Sequence, residues 1–357
     1  MIHPPPLAGR PKDGPQLWLS PEYFPIRLAP EANALTLVPM SEQLYREVNF
    51  LDDREIPMDG SREVPLDAAI RALDQLHPPP RPLHWIFHVA FCGSTLVSRC
   101  LEQLATAFVL KEPFAVHDLA HRRRHGPADP AGPGGWHDSL RLLDALLART
   151  YRSDQVAIVK ATDASTQLLG DVLALNPGSK ALFQYVGVEE FLLAMLGDRV
   201  RMGFVRERLN DLAVLFPDEF AFRREAWQSL PDASQAACLW VLHLRLYARF
   251  AGSTHGGRCR SLDFARFLRD PQESLTALAR FLGLGCSSRD VEAAIATTLA
   301  VHSKAPRAAF STADRAARLK SAAEEHRDAI DASLAWACRR FPDFAVLQAP
   351  PNALPAT

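Results

Sequence analysis

The sequence predicts an α/β fold in three layers, with a central parallel sheet and a helical C-terminal extension. Between residues 83 and 196, four short apolar runs alternate with helical stretches, which is typical of parallel strands covered by helices on both faces. After residue 196 the pattern is mainly helical. The 357 residues are 48% hydrophobic and 23% charged, which is enough apolar material for an enlarged α/β domain.

The predicted strands are short, continuous apolar runs, as expected for a sheet buried on both faces. They cover 83–90, 108–111, 156–160 and 180–186, and a fifth strand could return at 259–262. Helices are indicated by apolar residues at helical spacing, and Pro271 and Gly283 fit the start and end of one of them. The predicted helices cover 95–107, 138–151, 165–175, 188–196, 234–250, 271–282 and 313–338.

Prolines dominate the first 80 residues, and they predict an irregular region with short helices at 41–51 and 66–76. The run at 77–82 contains four prolines and indicates a stiff linker. We therefore expect a proline-rich region at 1–80, an α/β domain at 81–345 and a flexible tail at 346–357.

The composition argues against several classes of protein. There are 40 Lys and Arg residues against 41 Asp and Glu residues, so no overall field favours nucleic acid or an anionic membrane. No signal-peptide pattern or long apolar run is present, and the six cysteines lack metal-binding spacing. We expect a cytoplasmic protein with reduced thiols, no metal and no nucleic-acid or membrane partner.

A tight turn follows the first apolar strand and leads directly into a helix. The residues concerned are Cys92, Gly93, Ser94, Thr95 and Leu96. The first N–H groups of a helix have no partners within it and carry partial positive charge, so this turn is a candidate phosphate site. A plain helix N-cap is the alternative. The lysine of a GxxxxGK[ST] loop is absent, which argues against an ATPase or GTPase.

Cys92 at a helix N-terminus is expected to have a lowered thiol pKa. A phosphatase-like nucleophile would need a CxxxxxR spacing, whereas Arg99 stands seven positions after Cys92. The sequence therefore does not favour a cysteine phosphatase.

Several segments, in order, resemble the P-loop sulfotransferase family, which uses the nucleotide PAPS. The loop at 91–99 is similar to the family's phosphosulfate loop, and the other matching segments are 110–113, 156–162, 261–264, 268–271, 281–284 and 301–304. The resemblance covers about residues 83–310 and implies a P-loop-type fold, a bacterial-type member and PAPS or PAP as the bound nucleotide.

Three positions depart from the family's pattern. Phe91 stands where the family has a basic residue, Gly187 stands where an arginine contacts the 3′-phosphate, and Met195 falls near the position of a serine. Lys160, which ends an apolar strand, and the basic pair Lys304 and Arg307 are the candidates to supply the missing charge. The alternatives are a lysine that reaches solvent at a strand end and a solvated charge pair.

Sulfuryl transfer also needs a base for the acceptor. Glu112, fixed by Pro113 at a strand end, is the candidate, and His117 is the alternative. His88 is expected to be a satisfied strand histidine. The basic clusters at 121–125 and 199–208 are expected to be solvated or to lie away from the pocket.

Three functions remain open from the sequence. The first is a sulfotransferase-like enzyme that moves a sulfuryl group from PAPS to a hydroxyl or amine of a small-molecule acceptor. The second is a nucleotide-dependent phosphotransferase on the same fold. The third is a catalytically silent relative that binds a phosphate ligand or a protein.

Overall fold

The structure is a computed structural model that describes residues 14–125, 135–216, 227–300 and 312–355. Its strands, in chain order, are β1 Tyr23–Ala29, β2 Ala34–Pro39, β3 Arg62–Pro65, β4 Leu83–His88, β5 Ala107–Lys111, β6 Val156–Lys160, β7 Ala181–Tyr185 and β8 Cys259–Asp263. Its helices up to residue 213 are α1 Gln16–Leu19, α2 Glu42–Glu47, α3 Leu66–Leu76, α4 Ser94–Glu102, α5 Phe114–His125, α6 Trp136–Leu147, α7 Leu169–Leu175, α8 Val188–Leu196 and α9 Arg199–Ala213. The later helices are α10 Asp232–Ala251, α11 Phe264–Arg269, α12 Pro271–Leu282, α13 Ser288–Leu299, α14 Thr312–Arg340 and α15 Phe344–Leu347.

The central sheet has five parallel strands in the order β5-β6-β4-β7-β8, which confirms the predicted fold class. From β4 the chain goes to β5 and β6 on one side of the sheet and then crosses to β7 on the other. In open parallel sheets, ligands bind beyond the carboxyl ends of the strands where the strand order reverses. The turn after β4 lies at that point.

The N-terminal region is more regular than its prolines predict. Residues 23–65 contain the antiparallel sheet β1-β2-β3, where an irregular segment was expected. Pro25 is tolerated because β1 is an edge strand of this sheet and because its pairing with β2 is irregular between Pro25 and Arg27. The predicted helix at 66–76 is confirmed as α3. The Leu28 N–H donates to Asp118 of α5 at 2.9 Å, so this sheet is tied to the α/β domain.

The C-terminal segment lies along the edge strand β8, although the sequence predicts a flexible tail. Ala353 forms a parallel bridge with Ser261 of β8. The Leu354 N–H donates to the Ser261 carbonyl at 2.7 Å, and the Leu354 side chain is buried. The buried Leu354 side chain and the backbone hydrogen bonds to β8 therefore order this segment, which its composition does not predict.

Buried histidines make the fold sensitive to acid. Burial lowers the pKa of His84 and His88 from 6.5 to about 4, and that of His243 to about 3. His84 is fixed as the neutral ring, because its Nδ1 accepts from the Lys180 N–H at 3.1 Å and its Nε2 donates to the Leu282 carbonyl at 2.8 Å.

We expect the free energy of unfolding to fall as the pH is lowered from about 6.5 towards 4. In that window the unfolded chain binds protons that the buried rings cannot, so each such histidine contributes up to about 1.4 kcal/mol per pH unit. Asp144 opposes this change, because burial raises its pKa to about 6 and its carboxyl is protonated in the folded state first. Urea unfolding at pH 7, 6 and 5 measures the slope. A stability that stays constant or rises towards pH 5 would contradict the expectation.

Candidate functional site

The turn between β4 and α4 has the backbone shape of an anion site. Phe91 and Gly93 both have left-handed backbone angles, with φ +57° and +73°, and α4 begins at Ser94. Alternating left-handed residues curl a loop so that successive N–H groups point into one concavity. The N–H groups at the start of α4 add to it, since a helix leaves its first donors without internal partners. The turn can therefore surround an anion with backbone donors.

Gly93 is the point where the turn packs most tightly against its neighbours. The Phe264 ring, at the carboxyl end of β8, occupies the space where a Cβ on Gly93 would lie. Phe264 is itself buried, so the ring cannot move aside without opening the core. The turn is thus held in shape by Phe264, the first residue of α11, as well as by its own dihedral angles.

Cys92 takes part in the turn through its backbone, and its thiol points into the core. Its Sγ donates to the Gln184 carbonyl at 3.4 Å, and the Gln184 amide donates back to the Cys92 carbonyl at 2.7 Å. The prediction of a lowered thiol pKa is wrong: complete burial raises the pKa of Cys92 to about 12, which outweighs the helix N-terminus. A nucleophilic role for this thiol is therefore not supported.

The other predicted loop residues differ in what they can offer a ligand. Ser94 and Thr95 lie at the first turn of α4, and both are largely buried. The Leu96 N–H donates to the Gly93 carbonyl at 2.9 Å and the Leu96 side chain is in the core. Leu96 thus closes the first turn of the helix, and the N–H groups before it are better placed for an anion.

Lys160 and Glu112 form an ion pair at the carboxyl edge of the sheet. The Lys160 side chain is 2% exposed and that of Glu112 is 21% exposed. Glu112 follows β5 with a left-handed φ of +52°, and its N–H donates to the Lys160 carbonyl at 2.7 Å. The strained backbone turns the carboxylate towards the neighbouring strand β6, where Lys160 ends. The two catalytic candidates predicted from separate segments are therefore in contact.

Lys111, the lysine at the end of β5, has partners outside the candidate site. It is buried, and its Nζ donates to Glu102 of α4 at 2.7 Å and to the Arg46 carbonyl at 3.0 Å. Burial also lowers its pKa. Lys111 fastens β5 to α4 and leaves Lys160 as the lysine next to Glu112.

His117 lies on α5 near a buried cluster of charges. Burial, with the nearby Arg208 and Arg124, lowers the pKa of His117 to about 4. Arg208 donates to Asp163 at 2.9 Å, just beyond the end of β6. His117 is thus a neutral ring near the charged pair of Arg208 and Asp163.

His88 is buried at the end of β4, on the strand between those of Lys160 and Gln184. Its Nδ1 donates to the Val89 carbonyl at 2.9 Å, so one of its two ring nitrogens is satisfied, as expected for a strand histidine. Its Nε2 has no hydrogen-bond partner within the part of the chain that the structure describes. Burial is the main cause that lowers the pKa of His88, and the positive charge of Lys160 is the second.

The helix α9 contributes an arginine to the surroundings of the turn, where the sequence did not predict one. The Arg201 guanidinium lies over the Phe91 ring, 4.6 Å from its centroid, and Phe204 meets the same ring edge-on at 5.7 Å. From the sequence there was no reason to place this basic cluster at the pocket, but Arg201 contacts Phe91 of the turn. Arg208 pairs with Asp163 beyond the end of β6. The signal in the sequence is their spacing: positions 201, 204 and 208 lie on one face of a helix.

A third arginine reaches the site from α14. The Arg315 guanidinium lies over the Phe264 ring, 5.3 Å from its centroid, and is paired with Glu190 in the first turn of α8. No motif marked Arg315, because it is contributed by a helix more than 200 residues after the loop. Lys304 and Arg307, the predicted cations, lie outside the described residues.

Residues 14–125, 135–216, 227–300 and 312–355 contain no group of three or more His, Cys, Asp or Glu side chains that could hold a metal ion. Over the same ranges, no helix has the length and apolar character to cross a membrane.

A cavity of about 620 Å³ lies at the amino ends of the strands, whereas the loop lies at their carboxyl ends. It is lined by residues that precede strands, such as Pro80 before β4 and Pro177 before β7. The loop after β4 does not contribute to it. The candidate site is therefore defined by its donors and charges, not by this cavity.

No protein-family model matches the chain, and no curated protein matches it. Among solved structures, a sulfotransferase from Mycobacterium tuberculosis H37Rv is similar with a TM-score of 0.40 and 11% identity, over 73% of this chain and 80% of that one. A sulfotransferase from Mycobacterium avium has a TM-score of 0.39 and 14% identity, over 74% and 81%. Retinol dehydratase, solved with retinol and PAP, has a TM-score of 0.31 and 11% identity, over 66% and 70%.

Two of these structures are sulfotransferases, the family that the sequence motifs resemble. With TM-scores of 0.31 to 0.40, the likeness carries no inference about function. Function has to be inferred from the residues of the site.

Proposed function

We propose that this protein is a sulfotransferase-like enzyme that moves a sulfuryl group from PAPS to a hydroxyl or amine of a small-molecule acceptor. The observation that carries the proposal is the Lys160–Glu112 ion pair, which lies at the same edge of the sheet as the anion-binding turn. A base and a buried cation beside a phosphate site are the groups that this transfer requires.

The turn fits the phosphate end of such a nucleotide. Left-handed residues at 91 and 93 and the start of α4 supply backbone donors, and Ser94 and Thr95 supply hydroxyls. Phe91 brings no charge of its own, so the positive charge has to come from other elements. The fit is thus to an anion held mainly by backbone N–H groups.

When bound, PAPS supplies an electrophilic sulfuryl group. Glu112 accepts the proton of the acceptor hydroxyl or amine, which raises its nucleophilicity. Once Glu112 is protonated, it would no longer neutralise the Lys160 ammonium. As the bond from sulfur to the acceptor forms and the S–O bond to the phosphate breaks, Lys160 would stabilise the negative charge left on the departing phosphate oxygen. The burial of Lys160 strengthens this effect, because little water screens it.

Thermal shift measurements with PAP, PAPS, ATP and GTP test the proposal. A ligand at one hundred times its dissociation constant adds about 2.7 kcal/mol of stability. We expect stabilisation by PAP and PAPS, and loss of that shift in a Ser94→Ala/Lys160→Ala variant. Lys320→Ala, an exposed change on α14, is the matched control and should keep the shift.

Two outcomes would contradict the proposal. Stabilisation by ATP without stabilisation by PAP would favour a phosphotransferase. No response to any nucleotide would favour a silent relative. If PAP binds, release of PAP from PAPS in the presence of phenols, alcohols and amines then identifies the acceptor class.

A further inference from the structure

His88 has a hydrogen-bond acceptor that the described structure leaves unused. Because its Nδ1 donates to the Val89 carbonyl, Nδ1 holds the proton and the neutral ring has a lone pair at Nε2. The ring is neutral at pH 7, since its pKa is lowered to about 4. Nε2 is buried and has no partner among residues 14–125, 135–216, 227–300 and 312–355. A buried acceptor without a donor is unfavourable, so we expect a donor to reach it in some state of the protein.

The Lys160 ammonium has unused donors near this acceptor. It has three N–H groups, and within the described residues it donates to Glu112 only. The lysine side chain is buried, so little water is present to accept from the other two N–H groups. Among the charged side chains around His88, Lys160 affects its pKa more than Glu112 or Asp163 does. The unused donors and the unused acceptor therefore belong to one buried polar cluster.

The sheet places both side chains on the face that lies under the turn. Ile86 of β4 is paired with Lys160 of β6, and His88 is two residues further along β4. Alternate residues of a strand share a face, so His88 and Lys160 project to the same side of the sheet. Gln184, which is paired with His88, donates its amide to the Cys92 carbonyl of the turn at 2.7 Å. The turn therefore covers this face.

Lys160 lies between two acceptors on the neighbouring strands. The strand order β5-β6-β4 puts Glu112, which follows β5, on one side of Lys160 and His88 of β4 on the other. β4 is also the strand that leads into the turn. A bond to His88 thus places the ammonium nearer the turn than a bond to Glu112 does.

Resting on the proposed function, we propose that His88 is a positioning residue whose Nε2 holds the Lys160 ammonium beside the turn during sulfuryl transfer. In the structure the ammonium is bonded to Glu112. When Glu112 takes the acceptor's proton, the ammonium loses its carboxylate partner and turns to Nε2. Its other N–H groups then point to the departing phosphate oxygen. His88 stays neutral throughout, and no proton passes to or from its ring.

Two substitutions distinguish the two ring nitrogens of His88. His88→Asn keeps a donor at the position of Nδ1 and has no acceptor at that of Nε2, whereas His88→Gln places an amide oxygen near Nε2 and loses the donor. Release of PAP from PAPS should show a kcat about 10- to 100-fold lower for His88→Asn, with KM changed less than about threefold. His88→Gln should keep kcat within about threefold of wild type. A role limited to the Val89 hydrogen bond predicts the reverse order.

A thermodynamic cycle tests the contact without any activity. Glu112→Gln imitates the protonated base, and in that background His88→Asn and Lys160→Met should be coupled in urea unfolding by about 3- to 30-fold in the equilibrium constant. The coupling should be smaller when Glu112 is present. His84→Asn is the matched control, because His84 is also a buried β4 histidine and both of its ring nitrogens have partners. Its coupling to Lys160→Met should be less than about twofold, and its kcat should stay within about twofold of wild type.

Nitrogen NMR of a chain labelled at its histidines tests the contact with His88 intact. One unprotonated Nε2 resonance should shift in Glu112→Gln, where the ammonium turns to the ring, and should shift back in Glu112→Gln/Lys160→Met. A spectrum that is unchanged by Glu112→Gln would overturn the proposal.

The other outcomes separate the role of His88 from the proposed function. If the wild-type chain releases PAP and His88→Asn is equally active, or if His88→Gln loses as much activity as His88→Asn, the positioning role is wrong and the proposed function stands. A coupling below about twofold in the Glu112→Gln background also refutes the contact. If the wild-type chain neither binds nor releases PAP, the proposed function fails, and the role of His88 in transfer fails with it even where the cycle shows coupling.

Discussion

A Gly93→Ala variant is expected to lose about 3 kcal/mol of unfolding free energy and to lose nucleotide binding. Two costs add: an alanine at φ +73° is strained by about 1–2 kcal/mol, and forcing a methyl group into the Phe264 ring overpacks the core by about 1–3 kcal/mol. The turn has to shift to relieve the contact, which breaks the concavity of N–H groups. Urea unfolding and thermal shift with PAP measure the two effects.

Gly203→Ala is the matched control for this variant. Gly203 lies in α9 with no atom within 4 Å of a Cβ placed on it, so alanine should add about 0.5–1 kcal/mol through helix propensity. A Gly93→Ala/Phe264→Ala double variant tests the cause. It should be less destabilised than the sum of the single variants by about 1 kcal/mol or more, because the ring that clashes is gone. A Gly93→Ala chain as stable as wild type would refute the packing of Phe264 on the turn.

Glu112→Gln is expected to cost about 3 kcal/mol of stability and to reduce turnover by about 100- to 10,000-fold. The stability loss follows because the variant leaves Lys160 as a buried charge without its carboxylate partner. The rate loss follows because a glutamine cannot accept the acceptor's proton. Urea unfolding and release of PAP from PAPS measure the two losses.

Lys160→Met should destabilise the chain less than Glu112→Gln does. The reason is exposure: Glu112 is 21% exposed and can turn to water, whereas Lys160 is 2% exposed and cannot. The double variant Glu112→Gln/Lys160→Met should recover part of the stability, because neither charge then remains buried alone, but it should recover no turnover. A smaller loss for Glu112→Gln than for Lys160→Met would contradict the pairing described above.

The sheet could be predicted from the sequence because its strands are buried on both faces. Such strands are continuous apolar runs, and the run at 156–160 coincides with β6. The N-terminal sheet was missed because each of its strands contains a proline, at position 25, 39 or 65. Pro25 is compatible with β1 because β1 lies at the edge of the sheet and its pairing with β2 is irregular there, and no local pattern in the sequence shows either feature.

The turn and the separate site residues could be predicted from the sequence, but the contacts between these residues could not. The turn was recognisable because a glycine between an apolar strand and an amphipathic helix is a local signal. The pairing of Lys160 with Glu112 depends on the left-handed backbone of Glu112, which a non-glycine residue seldom adopts. Arg315 approaches the turn through Phe264, so its place is set by tertiary packing and not by any spacing in the sequence.

The thiol of Cys92 shows how burial can reverse a prediction made from position. A helix N-terminus stabilises a thiolate, but that effect presumes a sulfur that faces the free N–H groups and some solvent. The Cys92 sulfur instead points to Gln184, inside the core. Side-chain direction, which the sequence does not show, decided the outcome.

The C-terminal segment that lies on β8 also bears on self-association. A parallel sheet presents unpaired N–H and C=O groups at its last strand, and such an edge can recruit strands from other molecules. In this chain the Ser261 carbonyl of β8 is already taken by the Leu354 N–H, and the Ser261 N–H donates to the Asn352 carbonyl at 2.9 Å. The segment at 352–354 thus occupies the backbone groups of β8 at Ser261. A protein shortened before residue 350 would leave these groups unpaired and able to bind a strand of another molecule.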